Sequence, residues 1–165
     1  MKKQFCLFIC MLLTLGACAL AEGGQLPLAA ALEAYLPTAG WGDYVASDLD
    51  GDGYNDTYML IFEGSDGSSI NISCQCFDGL ARVVGDLAEI PADADPLKVY
   101  GQVNEFNRKV TFCRWWYDEG NGLVRCTQEI YGVVGDDFGA YALNYMRKAA
   151  SYVYSFEDIF MEAIL

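Results

Sequence analysis

The sequence predicts an α+β domain in which one antiparallel sheet of about five strands carries helices packed on one face. Three observations support this fold class. Helical apolar spacing marks three segments, alternating apolar and polar residues mark the strands, and Asp-Gly or Gly-Asn-Gly turns join strands that follow directly on one another. The predicted order is α-β-β-β-α-β-β-α, with strands and helices in separate runs, as α+β domains have them.

The first half of the chain is predicted to hold one helix and a three-stranded meander. Residues 26–37 have apolar positions at helical spacing, and Pro37 ends the run. Asp66-Gly67 is a strong hairpin signal between the second and third strands. The strands are predicted at residues 41–48, 56–64 and 68–77.

The middle of the chain is predicted to form an extended connection and then a helix. Gly85 and Pro91 favour a connection over residues 80–94. Asp95 followed by Pro96 is an N-cap with proline at the first helical position, so a helix should follow. The inner side of this helix is predicted to be formed by Leu97, Tyr100, Val103 and either Phe106 or Asn107.

A hairpin around Gly120-Asn121-Gly122 and a long helix from Asp136 or Asp137 complete the domain. Alternation along the hairpin places Trp115 inward and Trp116 outward. An exposed Trp116 beside two arginines would mark a partner surface. The other side chains assigned to the inner face of the hairpin are Thr111, Cys113, Tyr117, Val124, Cys126, Gln128 and Ile130, and those assigned to the outer face are Arg114, Arg125, Thr127 and Glu129.

The first residues have the pattern of a signal peptide. Lys2 and Lys3 precede a short apolar segment, so residues 1–21 are interpreted as the signal and residues 22–165 as a single domain. Two processing sites remain open. Residues 19–21 form an A-x-A cleavage site, and residues 15–18 resemble a lipobox in which Cys18 would be lipidated. We therefore expect a bacterial protein that is exported, either secreted or in the cell envelope, with a lipid anchor only in the second case and no membrane-spanning segment.

Composition excludes several functions. The chain has 23 acidic against 10 basic residues and a net charge of −13, so nucleic acid would be repelled. It has no histidine, which removes Ser-His and Cys-His nucleophile pairs. A non-enzymatic protein is favoured over a carboxylate-based hydrolase, because no spacing singles out a catalytic pair of acids.

The segment "DLDGDGYND", residues 48–56, resembles the calcium loops of extracellular modules. Calcium prefers six to eight oxygen ligands, which alternating carboxylates and one backbone carbonyl can supply. Met59 stands where an EF-hand has its bidentate glutamate, so the loop is not an EF-hand. The alternative is an acidic hairpin turn without an ion. The predicted ligands are Asp48, Asp50, Asp52 and Asp56 by their side chains and Tyr54 by its carbonyl.

Four cysteines lie beyond the signal segment: Cys74, Cys76, Cys113 and Cys126. An even number in an exported domain favours disulfides, with no pairing fixed by the sequence. Cys74 and Cys76 are too far apart along a strand to pair readily with each other. A four-cysteine zinc site is the rival hypothesis, although the usual C-x2-C spacing is missing.

The stretch "VNEFNRKVTFCRWWYDEGNGLVRCTQEIYG", residues 103–132, with Val103, Asn104, Glu105 and Asn107 at its start, resembles the YbjN family of bacterial sensory transduction regulators. The resemblance implies the fold of the small dimeric chaperones of type III secretion, and no catalytic residues. If the third strand lies beside the last hairpin, as in that fold, Cys74 or Cys76 would reach Cys126. The two asparagines are expected to bracket the turn from helix to strand by their side-chain amides.

The sequence thus favours an exported, non-enzymatic domain that binds another polypeptide as a chaperone-like or regulatory adaptor, and that forms a homodimer. The alternative is an extracytoplasmic binding module stabilised by calcium.

Overall fold

The structure is a computed structural model and describes residues 24–132, 135 and 137–165. The predicted signal segment, the lipobox with Cys18 and the helix cap at Asp136 lie outside these residues. No helix within the described ranges is long and apolar enough to cross a bilayer. The elements are α1 (Pro27–Thr38), β1 (Val45–Ser47), β2 (Thr57–Glu63), β3 (Ser69–Phe77), β4 (Leu80–Glu89), α2 (Pro96–Lys109), β5 (Arg114–Asp118), β6 (Leu123–Tyr131) and α3 (Asp137–Ile164).

The six strands form one antiparallel sheet in the order β1-β2-β3-β4-β6-β5. This architecture confirms the predicted α+β class. The inward side chains of β3, β4 and β6 are buried against α3, which at 28 residues is the longest element, while α1 and α2 pack beside it. The opposite face of the sheet carries none of the three helices.

The predicted connection over residues 80–94 is wrong for its first ten residues, because they form β4 between β3 and β6. Gly85 is the reason for the error. A glycine in a strand reads as an interruption, but here a side chain would not fit: a Cβ at Gly85 would lie 2.7 Å from Ile72 Cδ1 and 3.3 Å from Val153 Cγ2. The glycine therefore lets α3 approach the centre of the sheet.

Helix α2 begins as predicted, with Asp95 accepting a hydrogen bond from the Leu97 amide at 2.9 Å. Its buried face differs from the prediction. Val99, Val103 and Phe106 are buried, whereas Leu97 is 79% and Tyr100 is 40% exposed. Both sets have helical spacing and share Val103 and, in one of the predicted alternatives, Phe106, so only the direction from which α3 and β5 approach decides between them.

The last hairpin has its turn at Gly120-Asn121, since Asp118 pairs with Leu123 and Trp115 pairs with Cys126. Trp115 is 1% exposed and Trp116 is 39% exposed, which confirms the predicted inward and outward orientations. Phe106, Phe156 and Trp115 form a cluster of tilted rings that joins α2, α3 and β5.

Candidate functional site

The predicted calcium ligands lie in the loop between β1 and β2. Ser47 pairs with Thr57, so residues 48–56 form a nine-residue loop rather than a tight turn. Oxygens of Asp48, Asp50 and Asp56 all lie within 4.8 Å of one another. A loop of this length has room to wrap an ion, which a two-residue hairpin turn does not have.

Local hydrogen bonds hold these carboxylates in place. Asp48 accepts from the amides of Gly51 at 2.7 Å and Gly53 at 2.8 Å, and the Gly53 amide is the main cause of a lowered pKa for the Asp48 carboxyl. Gly53 has φ +92°, a conformation that a larger residue rarely adopts. Asp56 is 8% exposed and accepts from the Leu49 amide at 3.2 Å.

Asp52, the fourth predicted carboxylate, lies outside the three-carboxylate cluster. Asp52 accepts from the Tyr54 amide at 2.9 Å, and the Tyr54 side chain is 45% exposed. The loop thus brings together three of the four predicted carboxylates. Asp56 is the single buried charged side chain in the described part of the chain, so a pair of converging buried acids for hydrolysis is not found there.

All four described cysteines are buried free thiols on the helix-covered side of the sheet. The suggestion that β3 lies beside the hairpin is wrong, because β4 separates β3 from β6. Cys74 is opposite Val83 on β4, and Val83 is in turn opposite Gln128, so a whole strand stands between Cys74 and β6. Whether any of these thiols form disulfides stays a prediction.

The face of the sheet opposite the helices, hereafter the open face, carries apolar side chains among polar ones. Val45, Ile61 and Trp116 are 54%, 49% and 39% exposed. Two shallow depressions of about 400 and 160 Å³ meet at Gln75, Val84 and Arg125 near the middle of this face. The open face therefore offers a broad, uneven surface with aromatic and aliphatic contacts.

Arginines and acids on the open face are mostly paired. Arg125 contacts Asp86 at 2.8 Å and Asp118 at 2.7 Å, and its guanidinium lies 5.7 Å from the centre of the Trp116 ring. These contacts hold the Trp116 ring in position. Among the residues described, Arg114 makes no ion pair.

A cleft of about 850 Å³ opens beside the start of β5, where β6 continues past Thr127, the partner of Arg114. Asn107 on α2 binds both backbone groups of Trp115, as its Nδ2 donates to the Trp115 carbonyl and its Oδ1 accepts from the Trp115 amide, each at 2.8 Å. These groups therefore point away from β6. This confirms that Asn107 brackets the turn from helix to strand, whereas Asn104 only lines the cleft.

The direction of the Trp115 groups fixes which backbone groups of β6 face the cleft. Backbone groups alternate in direction along a strand, so the amide and carbonyl of Arg114 point toward its partner Thr127 on β6. The amides and carbonyls of Glu129 and Tyr131 lie on the same side of β6, beyond the start of β5. The Glu129 carbonyl accepts from Gln128 Nε2 at 3.0 Å. In the described part of the chain no strand pairs with this edge of β6, from residue 128 to 131, and we call it the free edge. The sequence reasoning missed it, although β6 has a longer alternating run than β5.

Two comparisons of sequence gave no match: no protein-family model fits the chain, and no curated protein is detectably similar. Solved structures do resemble it. A chain of the ExsC–ExsE complex superimposes with a TM-score of 0.53 at 12% identity, over 83% of this chain and 97% of that one. A chain of the HopA1–SchA chaperone–effector complex gives 0.52 at 13% identity, over 78% and 91%. These likenesses show that the chain has a secretion-chaperone-like fold.

Proposed function

We propose that this protein is an exported, YbjN-like domain that binds another polypeptide in a chaperone-like or adaptor role, without enzymatic activity, as a homodimer. The observation that carries the proposal is the open face together with the adjoining free edge. The two similar solved chains were each found in a complex, one of them named as chaperone and effector, which supports the same direction.

The open face suits a polypeptide better than a small ligand. Its depressions are shallow and its apolar side chains are spread across several strands, from Val45 and Ile61 at one side to Trp116 at the other. Small-molecule sites are instead concave and bury most of the ligand. Exposed aromatic and arginine side chains are typical anchors of protein interfaces.

The free edge adds a means of binding main chain. The Glu129 carbonyl already accepts from Gln128 Nε2. The Glu129 amide and the amide and carbonyl of Tyr131 face the cleft, and an extended peptide is able to bind these groups by backbone hydrogen bonds. Arg114 lines both the cleft and the larger depression of the open face, so one segment can follow both surfaces.

Self-association is proposed to use the outer side of α2 rather than the edge of β5. Asn107 already binds the outward backbone groups of Trp115, which blocks strand pairing at that position. Leu97 and Tyr100 are exposed on α2 and offer apolar contact. Sedimentation analysis should give a dimer that Leu97→Glu weakens. A monomer at every concentration would refute this part of the proposal.

A photo-crosslinking amino acid tests the binding face. It is placed at Trp116 or Ile61 on the open face, and at Tyr141, which is 50% exposed on α3, as the control. Irradiation of producing cells should give discrete protein adducts from the first two positions and none from the third. Equal adducts at all three positions, or none at any, would contradict the proposal.

Mass spectrometry of the mature N-terminus in the same cells tests export and separates cleavage after Ala21 from lipidation at Cys18.

Calcium binding to the acidic loop is the second candidate function, favoured by the convergence of Asp48, Asp50 and Asp56. A free calcium concentration of about 100 times the dissociation constant would add about 2.7 kcal/mol to the free energy of unfolding. The melting temperature should rise with calcium and fall with EDTA. Asp56→Asn should abolish this response, while Asp52→Asn, outside the cluster, should retain most of it. An identical melt with calcium and with EDTA would refute the site.

A further inference from the structure

One of the four described thiols, Cys113, lines the cleft, and a second, Cys126, lies behind it. Cys113 is 7% exposed and lines the cleft, whereas Cys126 is 1% exposed and lies behind it on β6. Cys126 also lies next to the middle of the sheet, since a Cβ at Gly85 would come within 3.2 Å of its sulfur. A reagent that enters the cleft therefore meets Cys113 first.

The two sulfurs are neighbours. Cys126 pairs with Trp115, so Cys113 lies diagonally across from Cys126 on the same face of the hairpin. Diagonal α-carbons are about 7–8 Å apart, so a disulfide requires the backbone at Cys113 to shift. The pKa of the Cys126 thiol is raised, first by its hydrogen bond with Cys113 and then by burial. Cys113 lies in a bend outside β5, so its backbone is free of the sheet ladder and is able to shift toward Cys126.

Cys74 and Cys76 provide the contrast. They are two residues apart on β3, and the ladders to β2 and β4 hold the backbone at Cys74 on both sides. Side chains in this relation run parallel from α-carbons roughly 6.6 Å apart, at the limit of disulfide geometry, and a backbone paired on both sides is not able to shift to bring them together. Proximity alone therefore does not make these thiols a dithiol that can close.

We propose that Cys113 and Cys126 form an oxidisable dithiol at the cleft, which closes into a disulfide and ties the bend before β5 to β6. The Cys113 thiolate attacks a disulfide oxidant, forming a mixed disulfide and releasing one thiol of the oxidant. Cys126 then loses its proton to water, attacks Cys113 and releases the second thiol. Two thiols of the protein are oxidised and one disulfide of the oxidant is reduced.

The cross-link changes the shape of the cleft next to the free edge. The disulfide would therefore alter how a polypeptide binds at the cleft. This effect on binding rests on the proposed function, whereas the formation of the disulfide does not. The crosslinking experiment and the oxidation experiment therefore fail independently.

The test uses the full chain and glutathione disulfide as the oxidant, followed by alkylation of free thiols and peptide mapping. The expected product is a peptide pair joined through Cys113 and Cys126, with a mass lower by about 2 Da for the two hydrogens removed. Cys126→Ser should stop the reaction at a glutathione adduct on Cys113. Cys74→Ser should leave the reaction unchanged and is the matched control.

Three results would overturn the proposal: a linkage that involves Cys74 or Cys76, no linkage in oxidant that modifies Cys113, or an unmodified Cys113. Mapping of the wild-type chain alone distinguishes these results, so the test does not depend on the folding of a variant. Formation of the disulfide should also raise the melting temperature, because the cross-link lowers the conformational entropy of the unfolded chain.

Discussion

Replacing Asn107 by alanine should remove the contact that fixes the cleft. Its amide makes two hydrogen bonds of 2.8 Å to the backbone of Trp115. A typical hydrogen bond contributes about 1 kcal/mol net, and an unpaired group left in a partly buried place costs about 1–3 kcal/mol. We expect the free energy of unfolding to fall by about 2 kcal/mol, since water reaches the released groups only in part.

Asn104→Ala is the matched control. Asn104 lies on the same helix, is exposed and has no side-chain hydrogen bond to any described residue. Alanine is the better helix former by a few tenths of a kcal/mol, so this variant should be unchanged or slightly more stable. Asn107→Asp separates the two bonds, because a carboxylate still accepts from the Trp115 amide but repels the Trp115 carbonyl.

Urea unfolding of the three variants measures these differences, with an unchanged slope indicating an unaltered extent of unfolding. The released edge of β5 should also promote self-association, visible as concentration-dependent sedimentation. If Asn107→Ala and Asn104→Ala had the same midpoint, the clamp would contribute nothing and the reasoning would be refuted.

Two further predictions concern glycines and pH. Gly139→Ala should lower the free energy of unfolding by about 1–3 kcal/mol through overpacking, because its Cβ would lie 2.3 Å from Tyr35 Cβ. Gly101→Ala, in open space on α2, should instead raise it by about 0.5–1 kcal/mol. Thermal or urea unfolding measures both variants, and equal effects would contradict this packing. The pKa of Asp118 is lowered, first by the Asn121 side chain and also by Arg125. Its contribution to the free energy of unfolding is therefore fully present above its pKa in the unfolded chain and is lost as pH falls through its pKa in the folded chain. Asp118→Asn should be less stable than wild type at pH 7 and equal to it near pH 2, and a stability difference that did not close on acidification would refute the assignment.

Local rules account for the elements that the sequence predicted well. The N-cap at Asp95, the inward Trp115 and outward Trp116, and the bracketing role of Asn107 each depend on residues close in sequence. Turn residues and alternation act over a few positions, so they are readable without knowing what packs against them.

The errors arose where a distant element decides. Gly85 looked like a break in a connection, but α3 packs against it and requires a residue without a side chain. The two possible apolar faces of α2 were equivalent in spacing until α3 and β5 selected Val99, Val103 and Phe106. Neighbours along a chain do not report on such approaches, because packing depends on contacts between residues far apart in sequence.

The acidic loop and the cleft divide in the same way. The sequence by itself determined that residues 48–56 are rich in oxygen ligands and turn-forming glycines, because these are properties of residue type. The tertiary structure decided that Asp48, Asp50 and Asp56 converge while Asp52 does not, because the β1–β2 register sets the length and path of the loop. It also decided that β6 continues past the start of β5 at the cleft, because α2, through Asn107, holds the first residues of β5 in place.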